Sequence, residues 1–298
     1  EDVYLDDVVI ATGTPPVSRV PAHYVLHPSF EAVREALVEA GRDPSRTLRH
    51  RHGLPVAYAG QTVATLEEEQ PGRPGTDVLG RQVPFEEEEP HRIAAGKNTR
   101  ERGRQIVAAK SGLIHLDGDS IVIDRDLSLS CDVDTATGDI SYPGNLTLTG
   151  TVHDGYRLWV GGDLHVKQLL DAHEVFCRGH LAAAGGIIGK QRALVRARGK
   201  VRAKFIESCT LESKSTVFVE SFTYNAAILS LDRVVTGEHG KIVGGEVHAA
   251  HGVTAHEIGN RAGVATHIAV GSDFIVERKL EQTKQRITRL QQAIDRID

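Results

Sequence analysis

Between residues 137 and 166, TGDISYPGNLTLTGTVHDGYRLWVGGDLHV, the apolar side chains fall at alternate places: Leu146, Leu148, Val152, Leu158, Val160, Leu164 and Val166. Alternation predicts strands, yet each run lasts only three to five residues before Gly, Asp or Asn interrupts it. The same texture holds from about residue 107 onward. Aligning the apolar residue that follows each Gly, Asp, Asn or Ser corner selects Leu127, Leu146, Leu164, Leu181, Val201, Val217, Val234 and Val253. Their separations are 19, 18, 17, 20, 16, 17 and 19, a loose period averaging 18. GDL (162–164), GHL (179–181) and GKV (199–201) are the clearest copies. A coil of that length accommodates short strands with a corner after each. The pattern therefore predicts a mainly β chain, a parallel solenoid whose strands pair with their counterparts about 4.8 Å away in the next coil. Some eight coils would build a prism about 40 Å long. The spacing is too irregular for a strict hexapeptide left-handed helix, so a right-handed β-helix is expected. A β-sandwich would need longer strands and hairpin signals such as Asn-Gly.

The flanks read differently. VVIATG (8–13) predicts a short strand. SFEAVREALVEAG (29–41) predicts a helix capped by Ser29, with Val33, Ala36, Leu37 and Ala40 on one face and Gly41 closing it. GLPVAYAGQTVATLEEE (53–69) alternates like a strand pair. PGRPGTDVLGRQVP (71–84) has three prolines and three glycines in fourteen residues, which predicts a rigid, turn-rich loop. At the far end Val276, Leu280, Thr283, Ile287, Leu290, Ile294 and Ile297 step by 4, 3, 4, 3, 4 and 3, a heptad seam and thus a coiled-coil helix. The expected organisation is a small α+β domain over 1–98, a right-handed β-helix over 99–271 and a truncated coiled-coil helix over 272–298.

Composition fits a slender interior. Aromatics make up only 5% of the 298 residues and glycine occurs 30 times, so Val, Ile, Leu and Ala must fill the core. A formal charge of -5 names no partner class. Cys131, Cys177 and Cys209 are widely spaced with no C-x-x-C, which argues against a disulfide framework or zinc and for a reducing compartment. No apolar run approaches the roughly 20 residues that span a bilayer, and the acidic start lacks a signal-peptide pattern. A cytoplasmic protein with no membrane insertion is expected. The chain has no methionine and is read as part of a longer one.

Four segments in this order closely resemble the flagellar assembly protein A family: GQTVATLEEEQPGRPGTDVLGRQVP, GKNT (96–99), TGDISYPGNLTLTGTV, and GKIVGGEVHAAHGVTAHEIGNRAGVATHIAVG (240–271). The resemblance covers about residues 50 to 298, with the proline-glycine loop and IVGG as its specific parts; residues 1 to 50 match only at ATGTPP. It implies an N-terminal domain, a β-solenoid and a C-terminal coiled coil, in a bacterial cytoplasmic protein of flagellar assembly or polar organisation. It carries no active-site residues over.

Chemical motifs are sparse. GGIIGKQ (185–191) misses the phosphate-loop pattern twice, at Ala184 and Gln191. His248, His251 and His256 suit a metal chemically, but strand alternation points 248 and 251 to opposite faces unless a corner intervenes. Asp139 and Asp163 sit in GDI and GDL corners, where Asp is favoured for turn geometry. No catalytic residue, metal or cofactor is assigned. Two surfaces are candidates for docking. One is the proline-held loop with Gly72, Arg73, Gly75, Asp77 and Gly80, flanked by LEEE (66–69) and FEEEEP (85–90). The other is a basic stripe: Arg192, Arg196, Arg198, Lys200, Arg202 and Lys204, within a stretch from Arg178 to Lys204 that has no Asp or Glu. If its small residues face inward, the charges share one solvent face, either a solubilising surface or a seat for an acidic or phosphorylated protein. Scarce aromatics argue against nucleic acid. The expectation is a non-enzymatic scaffold or regulatory adaptor that dimerises through the coiled coil. A bactofilin-like polymer and a carbohydrate-active β-helix enzyme are the alternatives. The first needs bare solenoid ends, and the second needs an acidic cleft with aromatic platforms, for which Trp159 is the one tryptophan.

Overall fold

The structure is a computed structural model that describes residues 9, 11–51, 53–90 and 92–294. The chain forms two compact units, one from residues up to 41 with 57–110 and 114–123, the other from 42–56, 111–113 and 124 onward.

The first unit is α+β. Its antiparallel sheet runs His23–Leu26, Thr62–Glu67, Gln105–Ala108, Thr99–Arg102, around a core that includes Leu26, Phe30, Leu37, Val63 and Ile106. The helix expected over 29–41 is two, Pro28–Glu31 and Arg34–Arg42. Pro28 takes the first helical position, where its missing N–H costs nothing, and the ring of His27 accepts from Ser29 N. The cap is thus His27 rather than Ser29. Gly41 lies inside the second helix. A β-carbon there would come within 2.9 Å of His115 Nδ1, so it permits close packing rather than ending the helix. In the expected strand 8–13, Val8 and Ile10 lie outside the described residues, and Val9 and 11–13 are not in a strand. The two runs of 53–69 belong to separate sheets instead of pairing with each other. In the 71–84 loop Gly75–Thr76 pairs with Gln82–Val83, and bridges tie Thr76, Arg73 and Gln70 to Thr14, Val17 and Val20.

The second unit is a parallel β-solenoid of about eight turns. Each turn crosses three walls. The first holds Asp126–Leu129, Asn145–Leu148, Leu164–Val166, Leu181–Ala183, 201–203, 217–219, Arg233–Thr236 and Gly252–Thr254. The second begins as single bridges at Val133, Val152 and Leu170, then widens through Ile187–Ile188, 205–207, 222–224, 241–243 and Glu257–Ile258. The third stacks Ile140–Tyr142, Arg157–Val160, Glu174–Cys177, Leu194–Ala197, Thr210–Ser213, 227–230, 245–249 and Thr266–Val270. The eight residues aligned from the sequence form one unbroken ladder on the first wall, each opposite the next.

The interior is a column of Leu, Ile, Val and Ala at or near zero exposure. Corner side chains bond between coils. Asn145 Oδ1 accepts from Asp163 N (2.9 Å), Asp163 Oδ1 from His180 N (2.7 Å), and His180 Nδ1 from Lys200 N (2.9 Å). The corner aspartates therefore join successive turns rather than shaping their own. The sharp corner between second and third walls is left-handed in consecutive coils, at Ser208 (φ 50), Asn225 (φ 45) and Gly244 (φ 67).

The stack's two ends differ. Helix Pro44–Arg51 lies against Asp126–Leu129, with Leu48 buried and Ser45 Oγ accepting from Ser130 N at 2.8 Å. On the last coil Ile258 and Val270 are 54% and 55% exposed, whereas Ile242 and Ala249 beneath them are fully buried. Cys131, Cys177 and Cys209 are free thiols buried at three heights of the stack. Burial pushes Cys177 up to about 11 and Cys209 up to about 12.

Candidate functional site

Alternation puts Val195, Ala197, Val201 and Ala203 inside and Arg196, Arg202 and Lys204 outside. The small residues of the stripe do face the interior. The cations, however, do not share one face. Arg196 lies on the third wall, Arg202 on the first, and Arg198 and Lys200 on the corner between them. The corner was invisible in an alternating stretch because its Gly199 also fits the alternation.

The cations divide further by partner. Arg192 pairs with Asp154 at 3.0 Å, beside Lys190, which reaches Asp171 at 2.6 Å. Arg196 Nε reaches Glu212 Oε2 at 3.2 Å. Arg198, Lys200, Arg202 and Lys204 have no ion pair among the described residues, though Arg198 lies 5.8 Å from the centre of the Phe176 ring and Arg202 lies 5.2 Å from that of Phe218. Backbone bonds from Arg198 N to Cys177 O and from Lys214 N to Ala197 O place Arg178, Arg198 and Lys214 one above another on successive turns of this corner.

The C-terminal helix, Phe274–Ile294, meets the same corner with its first turn. Asp273 caps it by accepting from Ile275 N (2.8 Å) and Val276 N (3.1 Å). Phe274 is buried, and Arg278 donates to both Glu212 oxygens, at 2.7 and 3.3 Å. Burial alone would raise the Glu212 carboxyl, but the Arg278 hydrogen bond and the charges of Arg196 and Arg278 outweigh it and hold the group below its ordinary value. A groove of about 240 Å³ lies between this turn and the wall, floored by Phe176, Phe274 and Ile275 and rimmed by Arg196, Arg198, Lys214 and Arg278. Phe176, Glu212, Phe274 and Arg278 were not picked from the sequence. For Phe176 the signal exists, since in EVFC the flanking Val175 and Cys177 point inward.

Beyond its first turn the helix is exposed on every described face, and the seam residues Val276, Leu280, Ile287 and Leu290 are 50 to 59% exposed. The Ile294 side chain and Ile297 lie outside the described residues.

In the first unit the proline-glycine loop is a fixed hairpin. Asp77 Oδ1 accepts from Leu79 N and Arg81 N, both at 2.8 Å, and Gly80 holds φ 81. Gly72 lies under the ring of Phe85, and a β-carbon on Gly75 would meet the backbone at Thr14 and Pro16. Arg73 N bonds Val17 O at 2.9 Å. The tip so held presents Val78 and Leu79, 60% and 72% exposed. An open cleft of about 720 Å³ near His23, Tyr24, Glu89 and Glu101 also belongs to this unit.

The three histidines are not brought together. His251 pairs with Asp232 at 3.3 Å, His248 lies 3.8 Å from Glu246, and His256 packs edge-on against His239. Among the described residues no group of three or more His, Cys, Asp or Glu is placed to hold a metal. No described helix is long and apolar enough to cross a membrane.

Neither the curated proteins nor the solved structures yield a match. Two family profiles do. The Flagellar Assembly Protein A N-terminal region matches residues 2–119, and the Flagellar Assembly Protein A beta solenoid domain matches residues 125–298. With both profiles in order along the chain, and with the stacked coils the second describes, this protein belongs to the flagellar assembly protein A family.

Proposed function

We propose that the chain is a non-enzymatic scaffold or regulatory adaptor in flagellar assembly or polar organisation, working in the cytoplasm by holding partner proteins on its outer surfaces. Family membership supports the setting. The observation that carries the mode of action is the C-terminal helix. It is fastened by one turn and then displays Val276, Leu280, Ile287 and Leu290 on a heptad seam with nothing against it among the described residues. Such a stripe is stable in water when a second helix covers it, and a second copy of the chain supplies an identical one. The chain accordingly acts as a homodimer, with two solenoids carried on one coiled coil.

Light scattering on the full chain tests this. Wild type is expected at twice the chain mass, and the Leu280→Asp, Ile287→Asp double variant at the single mass with its solenoid still folded. Wild type at the single mass would remove the dimer. In the host cell, loss of the gene is expected to change flagellar number or placement.

The polymer alternative draws support from one end only. Ile258 and Val270 are exposed on the last coil among the described residues, but helix Pro44–Arg51 covers the first. A filament built end to end would need both.

A further inference from the structure

The groove under the first turn of the C-terminal helix combines two properties. Its floor is apolar, made by Phe176, Phe274 and Ile275. Its rim is cationic, with Arg196, Arg198, Lys214 and Arg278 set against a single carboxylate, Glu212. Glu212 is 11% exposed and already engaged by Arg196 and Arg278, so it neither repels nor competes strongly at the surface. Arg198 and Lys214 are exposed, without ion partners among the described residues, and stacked on adjacent coils about 4.8 Å apart. At about 240 Å³ the groove is smaller than the cavities that enclose whole cofactors or drug-sized ligands, and it suits one apolar side chain. Beside it on the same wall Trp159, 42% exposed, stands next to Phe176 as a shelf for the residues that follow. Aromatic anchors flanked by arginine are the composition of binding hot spots.

We propose that this groove seats one apolar side chain of an acidic peptide segment in a partner protein, with the flanking carboxylates on Arg198, Lys214 and the outer edges of Arg196 and Arg278. The inference rests on the docking reading above and names the partner's chemistry. Charge complementarity selects the occupant: a neutral or basic segment would leave the cations unpaired or opposed. Because Phe274, Ile275 and Arg278 come from the helix and Phe176 and Glu212 from the wall, the seat exists only while the helix is docked. The element that pairs two chains thus also completes the partner's site.

The test uses fluorescein-labelled peptides of about twelve residues, one leucine among Asp and Glu, titrated against the full chain by anisotropy. The leucine peptide is expected to bind. Replacing its leucine by alanine, or its acids by lysine, should weaken binding about tenfold or more. The Arg198→Glu, Lys214→Glu variant should lose a similar factor, and raising salt from about 0.05 to 0.3 M should weaken the wild-type complex. Both positions are exposed corners, and an unchanged melting curve verifies the fold. A benzophenone probe in place of the leucine should crosslink to Phe176 or to the 274–278 turn. Equal affinity for wild type and the charge variant, crosslinks elsewhere, or no binding at about millimolar peptide would each overturn the proposal. Light scattering separates the two readings. A dimer that ignores the peptide removes the groove alone, and a monomer that binds it removes only the self-association.

Discussion

Gly245 sits at φ 78 on the corner between second and third walls, and a β-carbon there would run into the Ala226 carbonyl one coil below. Gly245→Ala is expected to lower stability by about 2 kcal/mol or more in urea unfolding, combining left-handed strain with the clash. Asn225, directly below Gly244 in the stack, tolerates φ 45 because its short polar side chain suits that region. Asn225→Val should cost about 1 kcal/mol and Asn225→Gly little. IVGG was legible as a distinctive string, but that its glycines turn a corner stacked on Ser208 and Asn225 depends on register between coils, which no local string contains. Glu212 is the other decisive residue. Its carboxyl is held below the ordinary value, so its contribution is present above the unfolded carboxyl range and is lost as pH falls through the folded value. Glu212→Gln should therefore be less stable than wild type at neutral pH, by about 1–2 kcal/mol, with the difference shrinking as pH falls below the ordinary carboxylate range and through the lowered folded value.

At the level of elements, the C-terminal helix separates what spacing encodes from what packing decides. Its heptad of Val276, Leu280, Thr283, Ile287 and Leu290 can be read directly, because helical periodicity is local. Its anchorage cannot, since Arg278 finds Glu212 66 residues earlier in the chain. Phe274→Ala should release the first turn. Hydrogen exchange is expected to rise across 274–280 while the third-wall amides stay protected. The strands behave in the opposite way. Their inward positions follow from alternation, so the first-wall ladder from Leu127 to Val253 was recoverable with no structure. The basic stripe was recoverable only as composition. Its division over two walls follows from where the chain bends at 198–200, and the alternation of charge and small residue continues through that bend unchanged.

For the whole molecule, a stack in which each coil touches mainly its neighbours is held as a sum of adjacent contacts, so its ends decide how it opens. Helix Pro44–Arg51 seals the first coil through Leu48, 2% exposed. Leu48→Ala is expected to cost about 2–4 kcal/mol and to speed exchange in residues 126–148 before the rest of the stack. Among the described residues no such helix covers the last coil, where Ile258 and Val270 are exposed, and the three thiols turn this asymmetry into a clock. Cys131, Cys177 and Cys209 lie at rising heights in the buried column, and each is inert while its surroundings are closed. An alkylating reagent therefore timestamps unzipping. Peeling from the bare end should mark Cys209 first, Cys177 next and Cys131 last, and Leu48→Ala should advance Cys131 in that sequence.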